Sequence, residues 1–354
     1  MLASISVGGL VGNVAAVAAD HVDRRWLSSA GALVYAASMT GFAIGRSFPV
    51  LVIAAVLLAI GSDAMIVGTE VALVDVVRAA HPDADDPSGP LRAALARQGV
   101  AAYAGDLLGP LTLAGVAAAG WSWRWAFAVG AAACAAYAAA LARHSFPPPH
   151  AVDPDDTEGP GAAVWRLLRD RRLLLLGLLT LGVAILDEEF AAFLIAFLQV
   201  ERGLTPAAAS ALAEVVGGLL ASAVLAARRG APVSLAAAGS AVGAGAVVVV
   251  AAPGWVGVAA GGFIFGAGVA TSWLSLQARV LSYAVGRAGT ATAVVSLIET
   301  PSLAAPVLAG ALADRAGLGI ALAAHAGVAV AFAVGCALAS RGASAGRATG
   351  AAGP

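Results

Sequence analysis

The sequence predicts an all-α membrane protein with about eleven transmembrane helices, on three observations. Of its 354 residues 60% are hydrophobic and only 12% charged, against roughly a quarter charged in soluble globular chains. The mean hydropathy is +0.89. The apolar residues run in blocks of about 20 or more, long enough to cross a ~30 Å hydrocarbon core as helices. These blocks are hydrophobic all round and do not alternate as barrel strands do, and only helices or closed barrels satisfy backbone groups in lipid. A soluble enzyme, a DNA-binding protein and a secreted disulfide scaffold are excluded.

Cutting at charged and Pro/Gly-rich stretches places spans near 1–19, 26–44, 49–77, 91–119, 124–142, 173–200, 206–227, 233–252, 255–283, 288–312 and 318–339. The first begins abruptly in apolar sequence with no basic n-region, so a cleaved signal peptide is not expected. The second and third meet at a short turn, Gly45-Arg46-Ser47-Phe48. The longest hydrophilic interruption, 143–172, carries Pro147 to Pro149 and the acidic run Asp153, Asp155, Asp156 and Glu158. It separates an N-terminal bundle of five spans (1–142) from a C-terminal bundle of six (173–340), with a tail at 341–354. Two bundles joined by a linker suggest a two-fold repeated transporter.

Arginine sets the orientation. All 20 basic residues are Arg. With the loop after the first span in the cytoplasm, sixteen arginines fall on the cytoplasmic side. Arg46, Arg124, Arg202 and Arg315 remain outside. That bias places the C-terminus in the cytoplasm of a cell whose plasma membrane the chain crosses. Met1 then lies outside, which fits a six-plus-six pattern lacking one helix at its start. The net charge of −1 provides no basic field for nucleic acid or anionic lipid. Cys134 and Cys336 lie inside apolar blocks and read as small buried hydrophobes. CxxC pairs and His-rich clusters are absent, so no metal or cofactor is expected.

The loop Ala16-Val17-Ala18-Ala19-Asp20-His21-Val22-Asp23-Arg24-Arg25 resembles the signature between the second and third helices of the major facilitator superfamily. Asp20, Arg24 and Arg25 match it. Ala16, His21 and Asp23 depart, the last standing where the family has a Gly for a tight turn. The resemblance implies that the family's first helix is missing here, and that this loop forms a charge lock between bundles that steadies the outward-open state. Gly105-Asp106-Leu107-Leu108-Gly109-Pro110 resembles the family's fifth-helix motif. Its glycines at four-residue spacing suit close helix packing, and Pro110 suits a bend. Trp121-Ser122-Trp123-Arg124-Trp125-Ala126-Phe127 resembles the start of the sixth helix, and reads equally as an interfacial aromatic belt with one Arg. The ends of the seventh and eleventh helices are echoed at 197–205 and 310–317. The family's fourth helix often carries an Arg implicated in proton coupling; Ala55 stands there in this chain. Taken together, the resemblance covers nearly the whole chain and implies a two-bundle transporter fold of five plus six helices, monomeric, acting by alternating access.

Ionisable side chains at mid-depth are costly and mark function. Asp63, Asp106, Glu214 and Glu299 lie mid-span, and Asp187-Glu188-Glu189 sit near the centre of the sixth span. Low dielectric disfavours the charged form of an unpaired carboxylate, which suits an acid that gains and loses a proton. Asp63 and Glu70, seven residues apart, lie within about 20° on one helical face. Asp187 and Glu189 point about 200° apart, so the triplet cannot share one cavity. Pro301 follows Glu299 by two residues and predicts a local break at a binding site. The bland alternative makes these acids protonated structural groups bonded to Ser, Thr or backbone. Gln277 and Arg279 are weighed as substrate contacts or surface groups, and His325 as a packed neutral ring.

The function expected is secondary transport of a small molecule across the bilayer, with proton exchange and possible export. Uptake symport, uniport and a non-transporting scaffold are the alternatives. Catalytic dyads, HExxH and GxxxxGK[ST] motifs are absent, which argues against an embedded enzyme and against ATP drive.

Overall fold

A chain in hydrocarbon must satisfy its backbone N–H and C=O groups along itself, so helix ends fall where a cap or a breaker sits. The computed structural model describes residues 13–82, 87–147, 159–200, 207–228, 233–284 and 286–350; the side chains of 160, 187–189, 191–192, 207–211 and 342–350 lie outside the described set. Among the described residues there is no strand. A helical stretch at 13–18 (α1) is followed by α2 (Arg24–Ile44), α3 (Phe48–Ala80), α4 (Ser88–Ala118), α5 (Arg124–Arg143), α6 (Pro160–Leu167) and α7 (Arg171–Val200). Then come α8 (Ala207–Ala227), α9 (Leu235–Ala251), α10 (Trp255–Tyr283), α11 (Ala288–Glu299), α12 (Ala305–Ala316) and α13 (Leu318–Gly350).

Seven segments of the described chain are long and apolar enough to cross a membrane, the Ala288–Ala316 run among them. Leu212–Ala227 and Leu235–Ala251 are shorter apolar helices. The ten spans expected from residue 26 onward each coincide with helix. Most of the span expected at 1–19 lies outside the described residues.

The boundaries have local causes. Asp23 caps α2 by accepting from the Arg25 N–H at 2.9 Å. Its backbone is extended (φ −60°, ψ 115°), so the turn here does not need the family's Gly. Asp170 caps α7, accepting from the N–H groups of Arg172 at 2.8 Å and Leu173 at 3.3 Å. Ser234 caps α9 through the Ala237 N–H. The span over 288–312 is interrupted where Pro301 predicts a local break: α11 ends at Glu299 and Thr300–Ala304 tightens into a 3-10 turn. Pro301 has no N–H to continue the ladder, and Pro306 starts α12 from its first turn. Gly317, at φ 93°, takes the left-handed turn between α12 and α13. The hydrophilic linker holds the short helix α6, opened by Gly159 and Pro160.

The helices divide into two units by their packing. One comprises Met1–Leu91, Leu108–Leu174 and Arg279–Ile298; the other comprises Arg92–Leu107, Leu175–Ala278 and Glu299–Pro354. In the first, α2 packs on α3 and α5. Gly31 and Gly61 make the α2–α3 crossing: a Cβ at Gly61 would lie 2.5 Å from the Tyr35 nitrogen and 2.9 Å from the Gly31 carbonyl oxygen. Ala55, buried to 1%, sits with Phe42 and Ala54 against Phe127, an apolar setting at the position where the family often has Arg. Arg124 does more than anchor a belt. Its guanidinium donates to the carbonyls of Ala43 at 3.1 Å and Gly45 at 2.7 Å, closing the end of α2. Trp121, Trp123 and Trp125 around it are exposed.

The second unit has the larger apolar core. Phe190 and Phe265 stack at 4.3 Å between Leu186, Leu194, Val242 and Leu276. Cys336 is buried in this core and touches α9 at Gly239, as its apolar sequence context suggested. Nδ1 of His325 lies 2.9 Å from the Ala321 carbonyl oxygen, and the ring packs on Phe193, so the residue is a packed ring. The close approach expected at Gly105 and Gly109 is not seen. A Cβ at either would meet nothing within 4 Å, and Pro110 lies inside an unbroken, exposed stretch of α4. The spacing of small residues permits a helix contact without supplying one.

Gly61→Val is expected to cost roughly 1–3 kcal/mol by overpacking the α2–α3 crossing, whereas Gly105→Ala is expected to leave stability unchanged or slightly raised. Melting of both variants in detergent, followed by intrinsic fluorescence, checks this; equal losses would contradict the packing described.

Candidate functional site

The most closely built polar site among the described residues starts from Asp20, in the turn after α1. Its carboxylate caps the start of α11. Oδ1 accepts from the Gly289 N–H at 2.8 Å, while Oδ2 accepts from the Thr290 N–H at 2.7 Å and its hydroxyl at 2.6 Å. A negative charge is favoured there because the first N–H groups of a helix are otherwise unsatisfied and the helix dipole is positive. The approach requires glycine at 289, where a Cβ would run into the Ala16 carbonyl oxygen and lie 2.9 Å from Oδ1. Asp20 is 5% exposed. Burial raises its carboxyl above the usual aspartate range, against the pull of Thr290, Gly289 and Arg24.

Arg24, equally buried, places Nε 2.9 Å from Oδ2 of Asp75 on α3. The contact is ionic, without the alignment of a hydrogen bond. Arg25 has a different role. It is half-buried, pairs with Asp23 at 3.4 Å and lies over the Trp26 ring at 4.8 Å. The sequence marked Asp20, Arg24 and Arg25 together; the structure separates them into a helix cap, a buried ion pair and a surface cation. Asp75, Gly289 and Thr290 were not foreseen. The one available signal was a Gly-Thr pair at the start of a span.

A further contact of the same kind joins α7 and α10 at their polar ends. The Tyr283 hydroxyl donates to Asp170 and, with the Arg172 and Leu173 N–H groups, holds that carboxyl below its usual range.

The mid-depth acids are dispersed. Asp63 and Glu70 share α3, Asp63 half-buried and Glu70 buried. Asp106 is exposed on α4. Glu214 is buried on α8, where Gly266 of α10 lies against its backbone. Asp187, Glu188 and Glu189 belong to α7, and their side chains lie outside the described residues. On α10 Gln277 is buried and Arg279 half-buried.

Glu299 has the most informative surroundings. It is the last residue of α11, at the break, and its carboxyl shares a hydrogen bond with the Thr180 hydroxyl of α7. That hydroxyl also lies 2.9 Å from the Leu176 carbonyl oxygen and 3.0 Å from that of Gly177. An ionised Glu299 accepts a hydrogen bond from the Thr180 hydroxyl. A protonated Glu299 donates to the Thr180 oxygen while the hydroxyl turns back to its own helix. Both protonation states are thereby satisfied with no movement beyond one rotor. Thr180, a lone polar residue in a leucine run, was not singled out in the sequence.

Comparison with known proteins follows from this geometry. The family model described as Major Facilitator Superfamily matches residues 1–304. No curated protein matches the sequence significantly. Among solved structures, a variant of the E. coli fucose:proton symporter superposes with a TM-score of 0.73 at 14% identity, covering 95% of this chain and 90% of that one. The human organic anion transporter gives 0.67 at 18% identity, over 95% and 82%. The proton:xylose symporter gives 0.66 at 15% identity, over 94% and 83%. At these identities the likeness is one of fold.

Asp20→Ala is expected to cost about 0.5–2 kcal/mol at the start of α11. The Gly289 and Thr290 amides should then exchange hydrogen roughly 2- to 30-fold faster, at 1.4 kcal/mol per tenfold. Hydrogen-exchange mass spectrometry over α11 reads this directly, with Thr290→Val giving a smaller effect of the same sign. Asp75→Ala, which strands a buried guanidinium, is expected to lower stability by about 3–5 kcal/mol; Arg24→Met with Asp75→Leu should restore most of it.

Proposed function

The chain belongs to the major facilitator superfamily, and on that footing we propose that it is a proton-coupled secondary transporter of a small molecule in which Glu299 carries the coupling proton. Family and fold make it a multi-pass membrane transporter acting by secondary transport, not an enzyme. The proton and its carrier are the step beyond. The observation that carries them is the pairing of Glu299 with Thr180 at the α11 break, an acid whose two protonation states are both hydrogen-bonded. A coupling acid needs this: one held in a single state by a fixed cation would not cycle.

A broken helix at mid-span gives the same place a second qualification, since interrupted helices expose backbone groups that bind substrates and ions in secondary carriers. That two structurally similar carriers are described as proton symporters accords with a proton as coupling ion. The protein works in this reading as a monomer in the plasma membrane, with its Arg-rich loops and C-terminal tail in the cytoplasm.

Purified protein in proteoliposomes, with lumenal pH recorded during addition of amphiphilic cations, sugars and organic acids, tests the proposal. A substrate that moves protons into the vesicle with itself marks symport; opposed movement marks antiport. Glu299→Gln is expected to reduce substrate-dependent proton flux at least about tenfold, a loss of ~1.4 kcal/mol or more. Thr180→Val should reduce it about fivefold, the worth of one hydrogen bond. Asp63→Asn should leave coupling intact. Full proton flux in Glu299→Gln would remove Glu299 from the mechanism, and substrate flux without proton movement would make the protein a uniporter.

A further inference from the structure

The whole-chain charge of −1 conceals a local concentration of cations around α6. Arg166, Arg169, Arg171 and Arg172 fall within seven residues, with Asp170 the one acid among them, and all four arginines are exposed. The same short helix is two-faced. Ala163 and Leu167 are 0% and 3% exposed and dock it onto its unit. Trp165, on the opposite side at about 100° per residue, is 58% exposed. The Arg169 guanidinium lies over its ring, 4.9 Å from the centroid. Trp26 and Arg25 repeat the arrangement in the same unit, at 57% exposure and 4.8 Å.

We propose that the segment from Trp165 to Arg172 is a headgroup site for anionic phospholipid. Two properties select this occupant. A large aromatic ring left out of the protein core is placed best at the boundary between acyl chains and headgroups, where one end is apolar and the other wet. The cations beside it fit the phosphate and the net negative charge of an anionic headgroup, Arg169 bridging the two by stacking on the ring while its remaining donors face outward. An acidic peptide would satisfy the arginines but leaves the ring without a role. Asp170 offsets one of the four charges, chiefly beside Arg172, and leaves the patch cationic. The inference is independent of which substrate the transporter carries, and of its coupling ion.

The test uses the full chain in nanodiscs of phosphatidylcholine. A fixed fraction of either phosphatidylcholine or phosphatidylglycerol carries bromine high on the acyl chains as a quencher of tryptophan fluorescence. The Trp165 contribution is the difference between the native chain and Trp165→Phe, with melting of both confirming the fold. Trp165 is expected to be quenched several-fold more by brominated phosphatidylglycerol than by brominated phosphatidylcholine. Each arginine near an anionic surface contributes about fivefold, so Arg169→Gln with Arg171→Gln should abolish the preference, as should high salt. Equal quenching by the two lipids would reduce Trp165 to a plain interfacial anchor and overturn the proposal. Absence of quenching would overturn it by placing the ring in water. A preference that emerges only after Asp153→Asn, Asp155→Asn, Asp156→Asn and Glu158→Gln would assign the patch to the chain's own acidic run instead.

Discussion

Everything in this molecule is subordinate to one constraint: in hydrocarbon, each backbone N–H and C=O must find its partner within the helix that carries it. That is why the chain is helix almost throughout its described length, and why departures from helix are few and strongly marked. Gly317 takes a positive φ, Asp23 and Asp170 supply carboxylates to orphan N–H groups, and Pro301 removes a donor mid-span. Among the described residues the last opens the backbone inside a span, and a titratable side chain stands beside it. A break elsewhere would be a defect. Beside Glu299 it leaves polar backbone and a titratable carboxyl in the same place.

Charge obeys the same logic one level up. Buried ions are tolerable only when partnered, and the three clearest cases here are resolved in three ways: Asp20 by the donors at a helix start, Arg24 by Asp75, and Glu299 by a hydroxyl that serves both of its forms. The first two fix geometry, because removing either partner strands a charge. The third meets a neutral hydroxyl, which can donate to the ionised form or accept from the protonated one.

The sequence shows the helices plainly, because spans of about 20 apolar residues are a composition signal that tertiary structure does not override. It also shows Asp20, Arg24 and Arg25, since their spacing is compact. Their partners are another matter. Asp75 lies on the next helix but one from α1, and Thr290 lies at the far end of the chain; nothing local distinguishes them from other polar residues at helix ends. Thr180 is invisible for the same reason, a single hydroxyl among leucines. Gly105 and Gly109 err in the opposite direction: the pattern is local and conspicuous, but a notch states only that a neighbour would fit. Net charge misleads likewise over α6, where a chain-wide average hides four arginines within seven residues.

Helix α11 joins the Asp20 cap at one end to the Pro301 break at the other, across 12 residues. At 1.5 Å per residue it is a rod of about 18 Å. Turned by about 10° at the break, such a rod sweeps its far end through about 3 Å, as much as the full length of the bonds from Gly289 and Thr290 to Asp20. The three bonds at the cap are therefore what holds the far end of the rod against a small tilt.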